Sequence, residues 1–402
     1  MYVSRFNNYE TTTTVEKKPR GRTKTLSLDK PGFLEFFSGS GLVSHALARH
    51  FSLLWANDIC PKKALVFCGN HEREKFHRGS ITAVSGLDLP PAALSWASFP
   101  CQDLSVAGKA GGLQASRSGL VWEWLRVMDE MPAPAPVLVA ENVVGLVSRQ
   151  GGRQYRQLHA ALAERGYRVG AFVLDAVRWL PQSRPRIFIV AARQTVKTPP
   201  ELLDAGPNWL HSKAVVAAAR GLDDWLWWKM PEPRPRSLSL SEVVDWDAPC
   251  FDDAAAQKTL ALIPASHWRR FLASGLQAAP GYKRIRQKRQ VLELRFDDVA
   301  GCLRTPQGGS SRQYLVIREA DGARVRLLTV DEIARLMGAP ASYKLPGGYN
   351  DVYKAMGDAA AVPVVAYLAR HLLSKLAAAL SSEERALTLK APNPGGPGQA
   401  PG

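Results

Sequence analysis

Residues 32–50 read Gly-Phe-Leu-Glu-Phe-Phe-Ser-Gly-Ser-Gly-Leu-Val-Ser-His-Ala-Leu-Ala-Arg-His. Phe33, Leu34, Phe36 and Phe37 make the short apolar run that a buried strand requires. Ser38-Gly39-Ser40-Gly41 follows as a tight turn, and Leu42 to His50 reads as a helix. That order puts backbone N–H groups at a helix start, where a polar or anionic cofactor group can rest. Tight strand-to-helix turns also need glycine for steric reasons alone, so the turn by itself has two readings. A second strand, Leu53 to Ala56, ends in Asn57-Asp58. An acidic residue about twenty positions beyond such a turn is placed to hold a ribose hydroxyl. Capping of the helix from Pro61 is the other role open to Asp58, and the spacing favours the cofactor.

Working outward, strand and helix continue to alternate. Gly79-Ser80-Ile81-Thr82 marks the end of a third strand, and Ser95 to Phe99 reads as a fourth. The alternation implies an α/β fold with a doubly wound, mostly parallel sheet. Pro100 stops the fourth strand and sets Cys101 on the turn facing the crevice. The stretch to Gly119 has few large apolar side chains and several glycines, as expected of a loop able to close over a substrate. A reactive thiol under a flap is one reading, and a buried structural Cys before an ordinary loop is the other. Val137-Leu-Val-Ala-Glu141-Asn-Val143 ends an apolar run with a carboxylate, a place suited to chemistry and poor for solvation. In Pro181-Gln-Ser-Arg-Pro-Arg186, extended backbone puts Gln182, Arg184 and Arg186 on one face. Two guanidinium groups side by side repel unless each meets an anion or acceptor.

The pattern breaks after Arg193. Residues 194–326 are rich in Pro, Trp and basic residues and read as a smaller irregular domain inserted before the C-terminal helices. Tyr282-Lys-Arg-Ile-Arg-Gln-Lys-Arg289 and Arg304 to Arg312 supply cations and flexible donors suited to phosphate and base edges. Each Trp there is expected in a core before it is expected as a stacking platform. Helices return over 327–380: Thr329 caps the first, Gly338 ends it, and Met356-Gly-Asp-Ala359 opens a long apolar one. The domain boundaries expected are therefore 1–30 (a disordered basic arm), 31–193, 194–326, 327–380 and 381–402 (a disordered tail).

Composition agrees with a nucleic-acid partner. The 402 residues carry a formal net charge of +16, which predicts affinity for a polyanion. No apolar run is long enough to span a bilayer, so no membrane partner is expected. The five cysteines form no Cys-x-x-Cys pair, which argues against a metal or disulfide framework and fits a reducing cytoplasm.

Taken in order, Phe37-Ser-Gly-Ser-Gly41, Asn57-Asp58, Phe99-Pro-Cys-Gln102, Glu141-Asn-Val143, Gln182-Ser-Arg-Pro-Arg186 and Gly357-Asp358 resemble the motifs of the cytosine-5 DNA methyltransferase family. The resemblance covers about 32–193 and 327–380, and the family's target-recognition domain falls between. It implies a Rossmann-like methyltransferase fold with S-adenosylmethionine as donor. Phe37, Gly39, Ser40, Gly41, Leu42, Asp58, Ile59, Ser80, Ile81, Pro100 and Asp358 are the implied cofactor-binding residues. The implied acceptor is a flipped-out cytosine in double-stranded DNA. Cys101 would attack its carbon 6, Glu141 would hydrogen-bond ring nitrogen 3, Arg184 would hold the base oxygen, and Arg186 would order neighbouring backbone. Gln102, Ser105, Arg284, Arg286, Lys288, Arg289, Arg304 and Arg312 are the expected DNA contacts. A monomer is expected, with any restriction endonuclease acting separately. An RNA cytosine methyltransferase and a catalytically silent DNA-binding regulator are the alternatives. The large insert favours duplex DNA over RNA, and intact Cys101, Glu141 and Arg184 argue against silence. Ser80 and Asp358 depart from the family's usual Asp and Asn.

Overall fold

A computed structural model describes residues 30–100, 119–303 and 312–389. The apolar run quoted above is strand β1 (Gly32–Phe36), buried at every position in the middle of a seven-stranded sheet. Its companions are β2 (Ser52–Asp58), β3 (Phe76–Arg78), β4 (Leu94–Ala97), β5 (Val137–Val143), β6 (Tyr167–Asp175) and β7 (Pro185–Arg193). Their order is β3-β2-β1-β4-β5-β7-β6. All neighbours pair in parallel except β7, which runs antiparallel to both β5 and β6. The chain winds outward from β1 through β2 to β3, then returns to the other side of β1 with β4. The reversal opens a crevice at the carboxyl ends of β1 and β4, the place where such sheets bind ligands.

Helix α1 (Leu42–Leu47) is shorter than the sequence pattern to His50 suggested, because residues 48–50 turn back toward β2. Helix α2 (Pro61–Asn70) begins with Pro at its first position, where the missing N–H costs nothing. Helix α3 (Leu120–Glu130) and helix α4 (Arg153–Glu164) pack with the sheet face that carries Leu34, Leu138 and Ile189. The opposite face, with Phe33, Val139, Phe188 and Val190, joins one continuous core with the C-terminal helices.

The inserted region contains regular structure. Strands β8 (Ala278–Arg286), β9 (Arg289–Leu294), β10 (Gln313–Glu319) and β11 (Gly322–Leu327) form a second, four-stranded antiparallel sheet in the order β11-β10-β8-β9. A small core of its own includes Phe271, Leu292, Val316 and Val325. Residues 196–244 do not join that core. Leu202, Leu210, Trp228 and Leu240 pack against the main sheet. Trp228 is wholly buried there, and its indole N–H donates to the Val190 carbonyl at 3.2 Å. Gly170 makes room for it, since a Cβ would lie 2.7 Å from the indole and 2.1 Å from the Leu226 carbonyl oxygen.

Past β11 come α5 (Val330–Leu336) and α6 (Tyr349–Asp358). Thr329 and Glu332 form a capping box on α5, and Gly338 follows it at φ 73°. Gly357-Asp358 closes α6 instead of opening the next helix. Ala359 is extended, and a new helix (Val362–Leu368) starts with Pro363 near its first position. The tail, expected without structure from 381, continues as a helix over Ser382–Leu389. Ser381 and Glu384 cap it reciprocally at 3.1 and 2.8 Å. Thr195 ties it back by donating to Glu384 at 2.7 Å.

One buried acid makes stability depend on pH. Glu35 lies buried in β1 and accepts from the Ser44 hydroxyl. Burial drives its carboxyl up to about 8 from 4.5, against the hydrogen bonds from Ser44. The folded chain therefore holds a proton that the unfolded chain releases between these two values. Stability falls as pH rises through that window and is level above it. Glu35→Gln removes this dependence. The variant should gain on the parent by a few kcal/mol between pH 5 and pH 8. Urea midpoints of both across that range would check it, and parallel curves would contradict it.

Candidate active site

A cavity of about 1260 Å³ lies at the carboxyl ends of β1, β2, β4 and β5, with β8 and β9 across from them. On one side, the turn after β1 carries Phe37 in the left-handed region at φ 56°. Such a conformation is a strain for a bulky residue and is usually kept where a site needs it. Phe37, Gly39, Leu42, Asp58, Ile59, Ser80, Ile81, Pro100 and Asp358 all line the cavity. Ser40 and Gly41 sit behind the turn. Ser40 offers its carbonyl to the Tyr343 hydroxyl at 2.6 Å. At Gly41, φ 81°, a Cβ would fall 2.6 Å from the His71 ring. Asp58 does not cap the helix from Pro61, whose N-cap is Cys60; its carboxylate instead ties the turn after β1 to the start of α2. One carboxylate oxygen accepts from Gly39 N at 2.9 Å and the other from Cys60 N at 2.8 Å. Each oxygen keeps a second lone pair for a ligand. Ser80 caps its own short turn through Thr82, with the hydroxyls 2.7 Å apart. Asp358 is answered by a cation, since Lys63 Nζ lies 2.7 Å from it.

On the other side, the antiparallel pairing of β5 with β7 sets Val143 opposite Arg186. The two-residue period then puts Glu141 on the same face one step away, within diagonal reach of a long side chain. Arg186 Nε lies 3.0 Å from Glu141 Oε1, both line the cavity, and the glutamate side chain is only 5% exposed. The two arginines reach different surroundings. Arg186 faces the cavity with Glu141, whereas Arg184 is 1% exposed and does not line it. Arg184 donates to the carbonyls of Leu303, Gly357 and Ala359 at 3.1, 2.8 and 2.5 Å. Burial, with Arg186 next to it, lowers its pKa to about 10, which still leaves it charged at neutral pH. Each guanidinium has found its acceptor, as their spacing demanded. Gln182 completes the motif as a wholly buried tie, donating to the Leu336 carbonyl at 2.6 Å and accepting from Leu303 N at 3.3 Å.

Three further residues belong to this site. Asn142 donates to the Phe99 carbonyl at 3.0 Å and so fixes the end of β5 against the backbone leading to Pro100. A polar residue inside an apolar strand was the signal for it. Cys302 lines the cavity, with its sulfur 3.4 Å from Arg184 and 3.9 Å from Arg186. Lys63 also lines it, and nothing local in the sequence marks Cys302 or Lys63 as site residues.

Among the expected DNA contacts, Arg284, Arg286, Lys288 and Arg289 lie on the β8–β9 hairpin, and Arg284 reaches the cavity lining. Glu293 pairs with Arg286 at 2.5 Å and with Arg284 at 3.8 Å, so part of this charge is met within the chain. Ile285 stands 72% exposed among the cations. Arg312 immediately precedes β10 and is not among the residues lining the cavity. Cys101, Gln102, Ser105 and Arg304 lie outside the described residues. Among the described residues, no three His, Cys, Asp or Glu converge as a metal site, and no helix is long and apolar enough to cross a membrane.

A doubly wound sheet with a cavity at its switch point, lined by the Glu141–Arg186 pair and by the glycine-rich turn after β1, is an α/β frame of the kind that binds ligands at that place. The chain belongs to the C-5 cytosine-specific DNA methylase family, whose model matches residues 32–218 and 263–374. It is a DNA (cytosine-5)-methyltransferase. Type II methyltransferase M.MspI of Moraxella sp is 23% identical over 343 residues, covering 85% of this chain and 70% of that protein. Type II methyltransferase M.HhaI of Haemophilus parahaemolyticus is 26% identical over 299 residues, covering 74% and 81%. The S. pombe Dnmt2 methyltransferase structure is similar in fold, with a TM-score of 0.54 at 17% identity over 85% of this chain and 97% of that one.

Proposed function

We propose that the chain methylates carbon 5 of a cytosine swung out of double-stranded DNA into this cavity, with S-adenosylmethionine as donor. The observation that carries the reading is the Glu141–Arg186 pair, set in one cavity with the Asp58 and Phe37 turn. The donor set on that turn fits the cofactor. Phe37, Ile81 and Ile59 offer apolar walls to a flat ring, and Ile59 is 67% exposed on the cavity lining. Asp58 offers carboxylate oxygens to ribose hydroxyls. When bound, S-adenosylmethionine supplies an electrophilic methyl group.

The chain's own residues do the rest. Cys101 as thiolate adds to carbon 6 of the ring. Glu141 holds the proton at ring nitrogen 3, which draws electrons from carbon 6 and eases that addition. Arg186 keeps the Glu141 side chain in place and, with its remaining N–H groups, donates to the base oxygen. Carbon 5, made nucleophilic by that addition, would take the methyl group as the donor leaves as a neutral thioether, and loss of the carbon 5 proton to water then lets Cys101 leave by elimination. A base stacked in a duplex hides carbon 6, so flipping is required by geometry, at about a few kcal/mol. The basic β8–β9 hairpin supplies phosphate contacts at the cavity rim. The protein acts as a cytoplasmic monomer, and any cognate endonuclease works apart from it.

A duplex containing 5-fluorocytosine tests this reading, because fluorine cannot leave as the proton does. Incubated with the donor, the chain should form a protein–DNA adduct stable in denaturing gels, and Cys101→Ser should bind the duplex without forming it. Absence of the adduct on DNA that the chain methylates would overturn the covalent mechanism.

A further inference from the structure

Lys63 is an unexpected cation. It lies in the first turn of α2, where the helix dipole disfavours positive charge. It is also largely out of water, its side chain only 15% exposed. Burial pulls its pKa down, but the carboxylates of Asp358 and Asp58 outweigh that and the net shift is upward. Lys63 and both carboxylates line the cavity at its Asp58 end. Take the ammonium away and two carboxylates face each other in a poorly solvated space.

The same ion pair joins two parts of the site. Asp358 ends α6, and the flanking Gly357 and Ala359 carbonyls hold Arg184. Arg184 in turn reaches Leu303 and Cys302. A neighbouring bridge connects α2 and α6 as well: Lys62 lies 2.7 Å from Asp351, with the lysine side chain 63% exposed. An exposed pair of that kind contributes little, so it serves as a built-in control for helix docking alone.

We propose that Lys63 is a positioning residue of the cofactor site, whose ion pair with Asp358 sets the Asp58 loop against the end of α6, so that the site accepts both charges or neither. The proposal rests on the reading that this cavity takes S-adenosylmethionine. It also explains how Asp358 is accommodated at a position where the resembled family commonly has Asn.

Equilibrium binding of S-adenosylmethionine to the full chain without DNA, by titration calorimetry, tests it. Lys63→Met and Asp358→Asn should each raise Kd by about tenfold, and the double variant should return to within about threefold of the parent. Lys62→Met should bind as the parent does, and kcat at saturating cofactor should change far less than KM in all of them. Lys63→Gln carries the same expectation should Lys63→Met fail to fold. Single variants that bind like the parent, or a double variant whose loss is the product of the two singles, would overturn the proposal. A parent chain that binds no S-adenosylmethionine at all would instead remove the reading on which it rests.

Discussion

Replacing Glu141 by glutamine is expected to lower kcat for methyl transfer by about 10²–10⁴-fold while the fold and duplex binding persist. Glutamine keeps the shape of the side chain and an oxygen that can still accept from Arg186 Nε, now 3.0 Å away from the carboxylate. It cannot hold and share a proton with the base, so only the chemical step suffers. Arg186→Met removes the partner that fixes Glu141 and the donor proposed for the base oxygen, and should cost about 10²-fold in kcat. Arg184→Met should behave differently. Its three backbone carbonyl acceptors come from residue 303 and from the end of α6, so its loss leaves buried acceptors unpaired. At about 1–3 kcal/mol for each unsatisfied group, the first effect is on stability. Single-turnover methylation at saturating cofactor, beside urea midpoints, separates the two arginines. A stable, inactive Arg184→Met with a stable, active Arg186→Met would restore the roles first expected of them.

The contrast between those arginines marks where a sequence stops being legible. Strands β1, β4 and β5 could be read because buried parallel strands are short apolar runs and the turn after β1 needs Gly41. The spacing of Arg184 and Arg186 said that each needs an acceptor. It did not say which, because those acceptors come from β5, from residue 303 and from 357–359, and no local pattern encodes such distant contacts. Lys63 and Cys302 carry no sequence signal for the same reason. The β8–β9 hairpin shows in the sequence only as a basic run, because its turn lacks the usual glycine. Gln287 and Lys288 take φ 46° and 64° instead, so the strand signal had no punctuation. The helix Ser382–Leu389 is another matter. Its capping signal, Ser381 followed three residues later by Glu384, was present in a stretch that composition alone assigned to a tail.

Arg326→Met is expected to cost about 3–5 kcal/mol of folding stability, the largest effect foreseen away from the cavity. Arg326 on β11 and Glu332 on α5 form a fully buried pair, with side chains 2% and 0% exposed. Both guanidinium ends meet the carboxylate at 2.7 Å. Glu332 also accepts from Thr329 N at 2.7 Å and from Asp245 N at 2.8 Å, while Arg326 donates to the Asp245 carbonyl at 2.6 Å. One ion pair thus locks the small sheet, the cap of α5 and the segment near residue 245 together. Removing the cation strands a carboxylate that water cannot reach, which costs far more than an exposed bridge is worth. The usual remedy of replacing both partners by apolar groups should fail here, since Thr329 and Asp245 would each lose an acceptor for a backbone N–H. Urea denaturation of Arg326→Met, and of Arg326→Met with Glu332→Leu, reads both expectations. A single variant within about 1 kcal/mol of the parent would show that the pair does not hold the sheet in place. The small sheet carries the basic hairpin, so the folded fraction of Arg326→Met should lose affinity for duplex DNA before it loses affinity for the cofactor.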